Sequence, residues 1–269
     1  MSKTLKSIIL ATLALIATTS SISLVVATTG NKGLAIATEA DRVDQGFRDH
    51  RADMKMTLQN SHGETSRRDL RTYTLEGTAS GDKTLIVFEA PRDIKGTALL
   101  THSQLRGNDD QWLYMPAIRR VKRISAGNRS GPFMGSEFAY EDLSSPELQK
   151  YTYKYEREDD CGKGGGRCWV IERVPQDPKS GYKRQLVWID QQAHRYRKVD
   201  FYDRKNTLLK TVTLAGYRQY LGRYWRPSTA HMHNHQTGKS TTLEWSKYEF
   251  RTGLTANDFE KGSLKRLAR

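Results

Sequence analysis

From Met54 onward the chain alternates. Met54, Met56 and Leu58 take one parity while Asp53, Lys55, Thr57 and Gln59 take the other, a two-residue period that suits a strand with one buried face. The rhythm returns over residues 67–76, 96–103, 111–115, 151–155, 169–171, 184–189, 197–202, 208–217, 229–234 and 240–250. It breaks at turn-forming clusters such as Ser61-His62-Gly63-Glu64 and Asp190-Gln191-Gln192. Residues 84–88 (Thr-Leu-Ile-Val-Phe) are apolar on both parities, which predicts a central strand or one covered by a helix. Helical spacing of Leu34, Ala37, Val43 and Phe47 predicts a helix over residues 32–51. Thr255 with Asp258 reads as the start of a short basic helix containing Phe259, Leu264 and Leu267. About ten close-spaced strands between two helices define a mainly β class, with a curved antiparallel sheet forming an open barrel. No repeat, low-complexity run or linker divides the chain.

Residues 109–143 concentrate the unusual chemistry. In the strand over residues 111–115, Trp112 and Tyr114 share one face while Leu113 and Met115 share the other. Pro116 ends the regular pairing because it has no N–H to give. A basic band follows at Arg119, Arg120, Lys122 and Arg123, with Val121 among the cations. A turn-rich cluster comes next over residues 127–132, and then an apolar flap of Phe133, Met134, Phe138 and Tyr140, followed by Glu141-Asp142.

The strings DDQWLYMPAIRRVKRI and SGPFMGSEFAYEDL in this stretch resemble the LolA-like outer membrane lipoprotein-sorting proteins, in their uncharacterised periplasmic branch. The resemblance continues through SGYKRQLVWID, FYDR, YRQYLGRYWRP, NHQTGKSTTLEW and GLTANDF, so it spans nearly all of the chain after its first residues. It implies a LolA/LolB-like half-barrel wrapped around helices, with an apolar, acyl-sized interior. The well-studied lipoprotein carrier of this fold lacks these strings, so none of its functional residues carries over. Relatives in this branch resemble accessories of RND-type membrane exporters, which makes such a transporter an expected partner by resemblance.

The N-terminus reads as an export signal. Lys3 and Lys6 precede an apolar, small-residue run over residues 7–27 that closes on Val25-Val26-Ala27. A second small-residue site, Ala35-Ile36-Ala37, lies within the first predicted helix, so cleavage is expected after Ala27. A single domain over residues 28–269 would remain. No cysteine sits near the cleavage point, so no lipid anchor is expected. Export would place the protein in the periplasm as a soluble chain.

Of 269 residues, 44 are Lys or Arg and 30 are Asp or Glu, a formal charge of +14. Losing Lys3 and Lys6 with the leader lowers it to +12. Such a field either keeps the protein soluble or attracts anionic partners, among them lipid headgroups and lipopolysaccharide. In an oxidising compartment Cys161 and Cys168, flanking a glycine-rich turn, are most simply a disulfide; their spacing matches no common zinc pattern.

Signatures of catalysis are scarce. The chain has no G-x-S-x-G, no H-E-x-x-H and no P-loop, and the glycine-rich turn after Cys161 lacks the strand-to-helix setting of a phosphate cradle. His231, His233 and His235 fall on one strand parity, which could hold a transition metal. Without an acidic neighbour they read instead as a polar, solvent-facing side. Thirteen Tyr, seven Phe and five Trp suffice for an ordinary core. Joined to a basic band, they also suit a cavity for an amphiphile.

The expected ligand residues are Trp112, Tyr114, Met115, Phe133, Phe138 and Tyr140 against the acyl part. Arg119, Arg120 and Arg123 are expected near the headgroup, with movement of residues 131–140 for release. The predicted function is non-enzymatic: a periplasmic carrier for a lipid, lipoprotein acyl chain or similar amphiphile, in transient contact with the membrane. No cofactor, metal or nucleic acid is expected. The alternative is a polyanion-binding or structural envelope protein, with the interior as plain core.

Overall fold

The computed structural model describes residues 20–77, 80–162 and 164–267. Lys3, Lys6 and most of the expected leader lie outside these residues. Helix α1 (Ser20–Asp44) comes first and includes the expected cleavage point. The strands follow as β1 (Asp49–Gln59), β2 (Thr65–Leu75), β3 (Lys83–Ala90), β4 (Ala98–His102), β5 (Asp110–Met115) and β6 (Arg120–Ile124). After a long connection come β7 (Tyr151–Asp160), β8 (Arg167–Pro175), β9 (Tyr182–Asp190), β10 (Tyr196–Asp203) and β11 (Leu208–Ala215). The series ends with the hairpin β12 (Arg218–Tyr220) and β13 (Tyr224–Arg226), then β14 (Thr229–Asn234) and β15 (Ser240–Phe250).

Thirteen strands form one antiparallel sheet in the order β6-β5-β4-β3-β2-β1-β15-β14-β11-β10-β9-β8-β7. The chain thus runs out to one edge, crosses through residues 125–150 to the other edge, and fills the sheet back to its middle. The sheet curves without closing, so β6 and β7 remain its edges.

Alternation decides what faces the concavity. Met54, Met56, Leu70, Ile86, Phe88, Leu113, Val187, Ile189, Val212 and Met232 point inward, where Ile36, Ala37 and Ala40 of α1 and Phe133 and Phe138 of the crossing segment meet them. The helix lies close on β7. A Cβ at Gly33 would stand 2.6 Å from the Lys154 carbonyl carbon, so any larger residue there must push the helix away.

The opposite parity of β3 is buried too, as its doubly apolar sequence requires. Leu85 and Val87 pack with Leu100, Tyr114, Phe259 and Leu264, so the C-terminal segment covers part of the outer face. That segment has the expected Thr255/Asp258 capping box, but it is two short 3-10 turns and the four-residue helix α2 (Leu264–Leu267) rather than one helix.

Several boundaries differ from the sequence reading. The first helix starts at Ser20 rather than at residue 32, and β7 and β8 outrun residues 151–155 and 169–171. The first helix ends at Asp44, not Arg51: Gly46 and Arg48 adopt φ of 94° and 70°, and strand pairing starts at Asp49. The run over residues 208–217 ends earlier, at Ala215, and the hairpin β12–β13 follows it.

Cys161 and Cys168 are joined, with Cα atoms 5.1 Å apart, and clamp the β7–β8 hairpin on the outer face beside Val170 and Trp188. Closing so short a loop stabilises by roughly 2–3 kcal/mol in the chain-entropy model. The Cys161→Ser, Cys168→Ser double variant is therefore expected to unfold earlier in denaturant by about that amount while keeping its far-UV circular dichroism.

Candidate ligand cavity

The concave side encloses a cavity of about 970 Å³. That is near the top of the ~300–1,000 Å³ found for small-molecule sites. Its apolar wall comes from inward positions on many strands: Met54 and Ile86 on one side, and Val199, Phe201, Val212, Leu214, Met232 and Leu243 on the other. Phe138 and Leu143 come from the crossing segment and Trp225 from the β12–β13 hairpin. Every one sits on the concave parity of its strand or in a connection folded into the concavity, which is how a sheet with period two builds an apolar hollow.

The crossing segment is pinned rather than loose. Lys210 Nζ donates to the Glu137 carbonyl and to Asp142 Oδ2, both at 2.7 Å, and the Lys210 and Asp142 side chains are each only 5% exposed. Asp142 also accepts from the Tyr182 hydroxyl (2.8 Å) and the Ala139 N–H (2.7 Å). Asn234 Nδ2 donates to Glu137 Oε2, while Glu141 accepts from Ser180 Oγ and Gly181 N–H. Burial, with Asp142 alongside, pushes the Glu141 carboxyl above its ordinary pKa. On the other wall Arg68 donates to the Met134 carbonyl, and the Phe133 ring lies 5.7 Å from that of Phe88. Residues 131–140, expected to move for release, are bonded here to both halves of the sheet.

Two other cations of the cavity are matched. Arg226 donates to Asp44 Oδ1 (2.5 Å) and lies over the Phe47 and Phe250 rings. Arg195 pairs with Asp190 at 2.6 Å and covers Trp225. Beside Arg226, His50 is held neutral: burial first, then the Arg226 charge, pushes its pKa down to about 3.

Of the nine expected ligand residues, Phe138 alone lines this cavity. Phe133, Met115 and Tyr140 belong to the concave core, in contact with the same cluster. Trp112 and Tyr114 face outward, against Leu100, Phe259 and the Lys261 ammonium. Arg119, Arg120 and Arg123 lie exposed at or beside the β6 edge, and Arg123 is paired with Asp110. Alternation told the two faces of β5 apart, but only the fold shows which is concave.

His231 and His233 pair within β14 to Thr242 and Ser240. His235 lies past the strand end and bonds Thr211. Among the described residues no group of three or more His, Cys, Asp or Glu is arranged for a metal, and no helix is long and apolar enough to cross a membrane.

Residues that sequence reasoning passed over are central here. Tyr151, Arg173, Gln185 and Tyr196 all line the cavity. One signal was present: Arg173 continues the parity of Trp169 and Ile171, a cation on an otherwise apolar stripe.

An open antiparallel half-barrel around an apolar cavity defines the structural class. The profile of an uncharacterized protein family matches residues 80–266. An outer membrane lipoprotein-sorting protein domain from Vibrio parahaemolyticus is 52% identical with a TM-score of 0.85, over 88% of this chain and all of that one. A DUF1329 family protein from Desulfovibrio piger is 28% identical with a TM-score of 0.82, over 88% of this chain and 99% of that one. A LolA superfamily protein from Nitrosomonas europaea shares the fold at 19% identity and a TM-score of 0.68, over 86% of this chain and 98% of that one. A search of proteins with curated functions found no match. The chain belongs to the LolA-like outer membrane lipoprotein-sorting family, in its uncharacterised branch.

Proposed function

We propose that this protein is a periplasmic carrier that shelters the acyl part of a lipid or lipoprotein in its half-barrel and performs no covalent chemistry. The observation that carries the reading is the cavity of about 970 Å³ whose walls are built from inward apolar positions on both halves of the sheet. Membership of a lipoprotein-sorting family supports a carrier role in general. An export leader over residues 1–27, transient membrane contact and delivery to an RND-type exporter complete the proposal.

Native mass spectrometry of protein purified without detergent tests it. A co-purifying lipid mass supports the carrier. A clean apo mass together with salt-sensitive heparin binding favours instead the polyanion reading, for which the exposed Arg119, Arg120 and Lys122, without an ion-pair partner among the described residues, are the supporting observation.

Phe138→Asp places a carboxylate on the cavity wall, where an unpaired charge costs several kcal/mol. The variant is expected to fold, by circular dichroism, yet to lose at least 90% of its bound lipid (about 1.4 kcal/mol). A folded variant with wild-type lipid content would remove Phe138 from the ligand's surroundings.

A further inference from the structure

One row of paired positions crosses the concave face of five strands: Arg173 on β8, Gln185 on β9, Phe201 on β10, Lys210 on β11 and Asn234 on β14. Four of the five side chains are polar, although the strands around them point aliphatic residues inward. Lys210 and Asn234 are explained, since they bind Asp142 and Glu137 and so hold the crossing segment. Arg173 and Gln185 hold nothing of that segment.

Arg173 is 93% buried, at 7% exposure, and lines the cavity. Its Nε donates to Gln185 Oε1 at 2.6 Å, and its guanidinium lies 4.7 Å from the centre of the Tyr151 ring. It has no carboxylate within ion-pair distance among the described residues. The acids that line the cavity are already engaged: Glu141 by Ser180 and Gly181, Asp142 by Lys210, Tyr182 and Ala139, Asp44 by Arg226, and Asp82 by Gly77 and Ser145. A buried cation normally has an anionic partner, because removing one partner of a buried pair leaves an uncompensated charge.

The groups around it are donors as well. The accepting oxygen of Gln185 is taken by Arg173, which leaves its amide N–H2 for the cavity. Tyr151 and Tyr196 line the same cavity, their hydroxyls make no hydrogen bond among the described residues, and burial keeps both phenols protonated. A buried guanidinium with no carboxylate at ion-pair distance, beside an amide and two phenols that can donate, describes one half of an anion site in a largely apolar hollow.

We propose that Arg173, with Gln185, Tyr151 and Tyr196, is an internal anion site that binds the single negative charge of an amphiphile's head, a carboxylate or a phosphodiester, inside the cavity. The inference rests on the carrier reading and deepens it. The acyl part then packs along Val199, Val212 and Met232, and the exposed basic band at the β6 edge takes no part in holding the head.

The test measures binding to the full-length purified protein by displacement of a fluorescent acyl probe. Two matched pairs of ligands are used: palmitate with hexadecanol, and palmitoyl lysophosphatidylglycerol with monopalmitoylglycerol. A hydrogen-bonded charge pair in a desolvated site predicts that at least one anion binds about 10- to 100-fold tighter than its neutral counterpart. Whichever pair shows the gap identifies the head as carboxylate or phosphodiester. Arg173→Gln should bring that anion down to its neutral partner's affinity and leave the neutral ligand unchanged. Arg173→Lys should fall between. Raising salt to 0.5 M should change the gap little, because a buried pair is poorly screened.

If wild type binds each neutral ligand as tightly as its anion, the proposal is overturned and the carrier reading stands. A gap that survives in folded Arg173→Gln also overturns it. If none of the four ligands binds, the carrier reading fails and the proposal falls with it. The wild-type comparison decides the matter even if the Arg173 variants do not fold.

Discussion

Replacing Asp142 by alanine is expected to lower the unfolding free energy by about 3–5 kcal/mol, the usual consequence of removing one partner of a buried ion pair. Lys210 would keep only the Glu137 carbonyl and the faces of Tyr182 and Phe201, at 5.3 and 5.5 Å, around an ammonium that is 5% exposed. The Tyr182 hydroxyl and Ala139 N–H would lose their acceptor in the same substitution. Lys210→Met should cost less, because Asp142 retains those two donors. Since the single changes break one interaction, the double variant should be more stable than their sum predicts, by at least about 1 kcal/mol. Urea unfolding of the four proteins measures this. Additive losses, or a loss below about 1 kcal/mol for Asp142→Ala, would mean that the pair is solvated and does not hold the crossing segment.

The second large effect is on acid stability. His50 sits among the Phe47, Tyr248 and Phe250 rings with its Nδ1 buried and unpartnered, and the Arg226 charge acts on it. Its pKa falls from an ordinary 6.5 to about 3, so the unfolded chain binds a proton between those values that the folded one does not. The sign follows. The contribution is complete above pH 6.5 and is lost as the pH falls toward 3, reaching up to about 3 kcal/mol by pH 4. Asp44 works in the opposite direction, because burial raises its pKa against the pull of Arg226. The informative quantity is therefore the difference between wild type and His50→Phe, which keeps a ring in the cluster and removes the titration. The variant should match wild type within about 1 kcal/mol at pH 7.5 and exceed it at pH 4. Parallel stability curves from pH 7.5 to 4 would show that His50 is open to solvent.

The legible parts of this fold are those where one interaction decides. The run over residues 240–250 gives β15 end to end, with Leu243 and Trp245 on one parity and, past the bulge at Lys247, Tyr248 and Phe250 on the other. The doubly apolar residues 84–88 foretell a cover on the outer face, and Phe259 and Leu264 supply it. Three-residue strands such as β12 and β13 are too short to show any period, so the hairpin over the cavity was invisible. Phe47 kept helical spacing yet lies beyond the helix, since turn geometry at Gly46 and Arg48 outweighs pattern there. Which face is concave is not legible. Aromatic density singles out Trp112 and Tyr114, whereas curvature, a property of the whole sheet, assigns their face to the outside.

A sheet that does not close keeps two rows of unsatisfied peptide groups, and each could template another copy of itself. Here the two rows end differently. At β7 the helix lies against the backbone, close enough that only glycine fits at position 33. At β6 the row is open but carries Arg120, Lys122 and Arg123, with Arg119 at its entrance. Two copies approaching edge to edge would bring like charges together, a common guard against fibre growth. Colloidal behaviour should therefore depend on those side chains. An Arg120→Gln, Lys122→Gln variant, or the wild type at high salt, should form larger species by light scattering at concentrations where the native protein in low salt stays monodisperse.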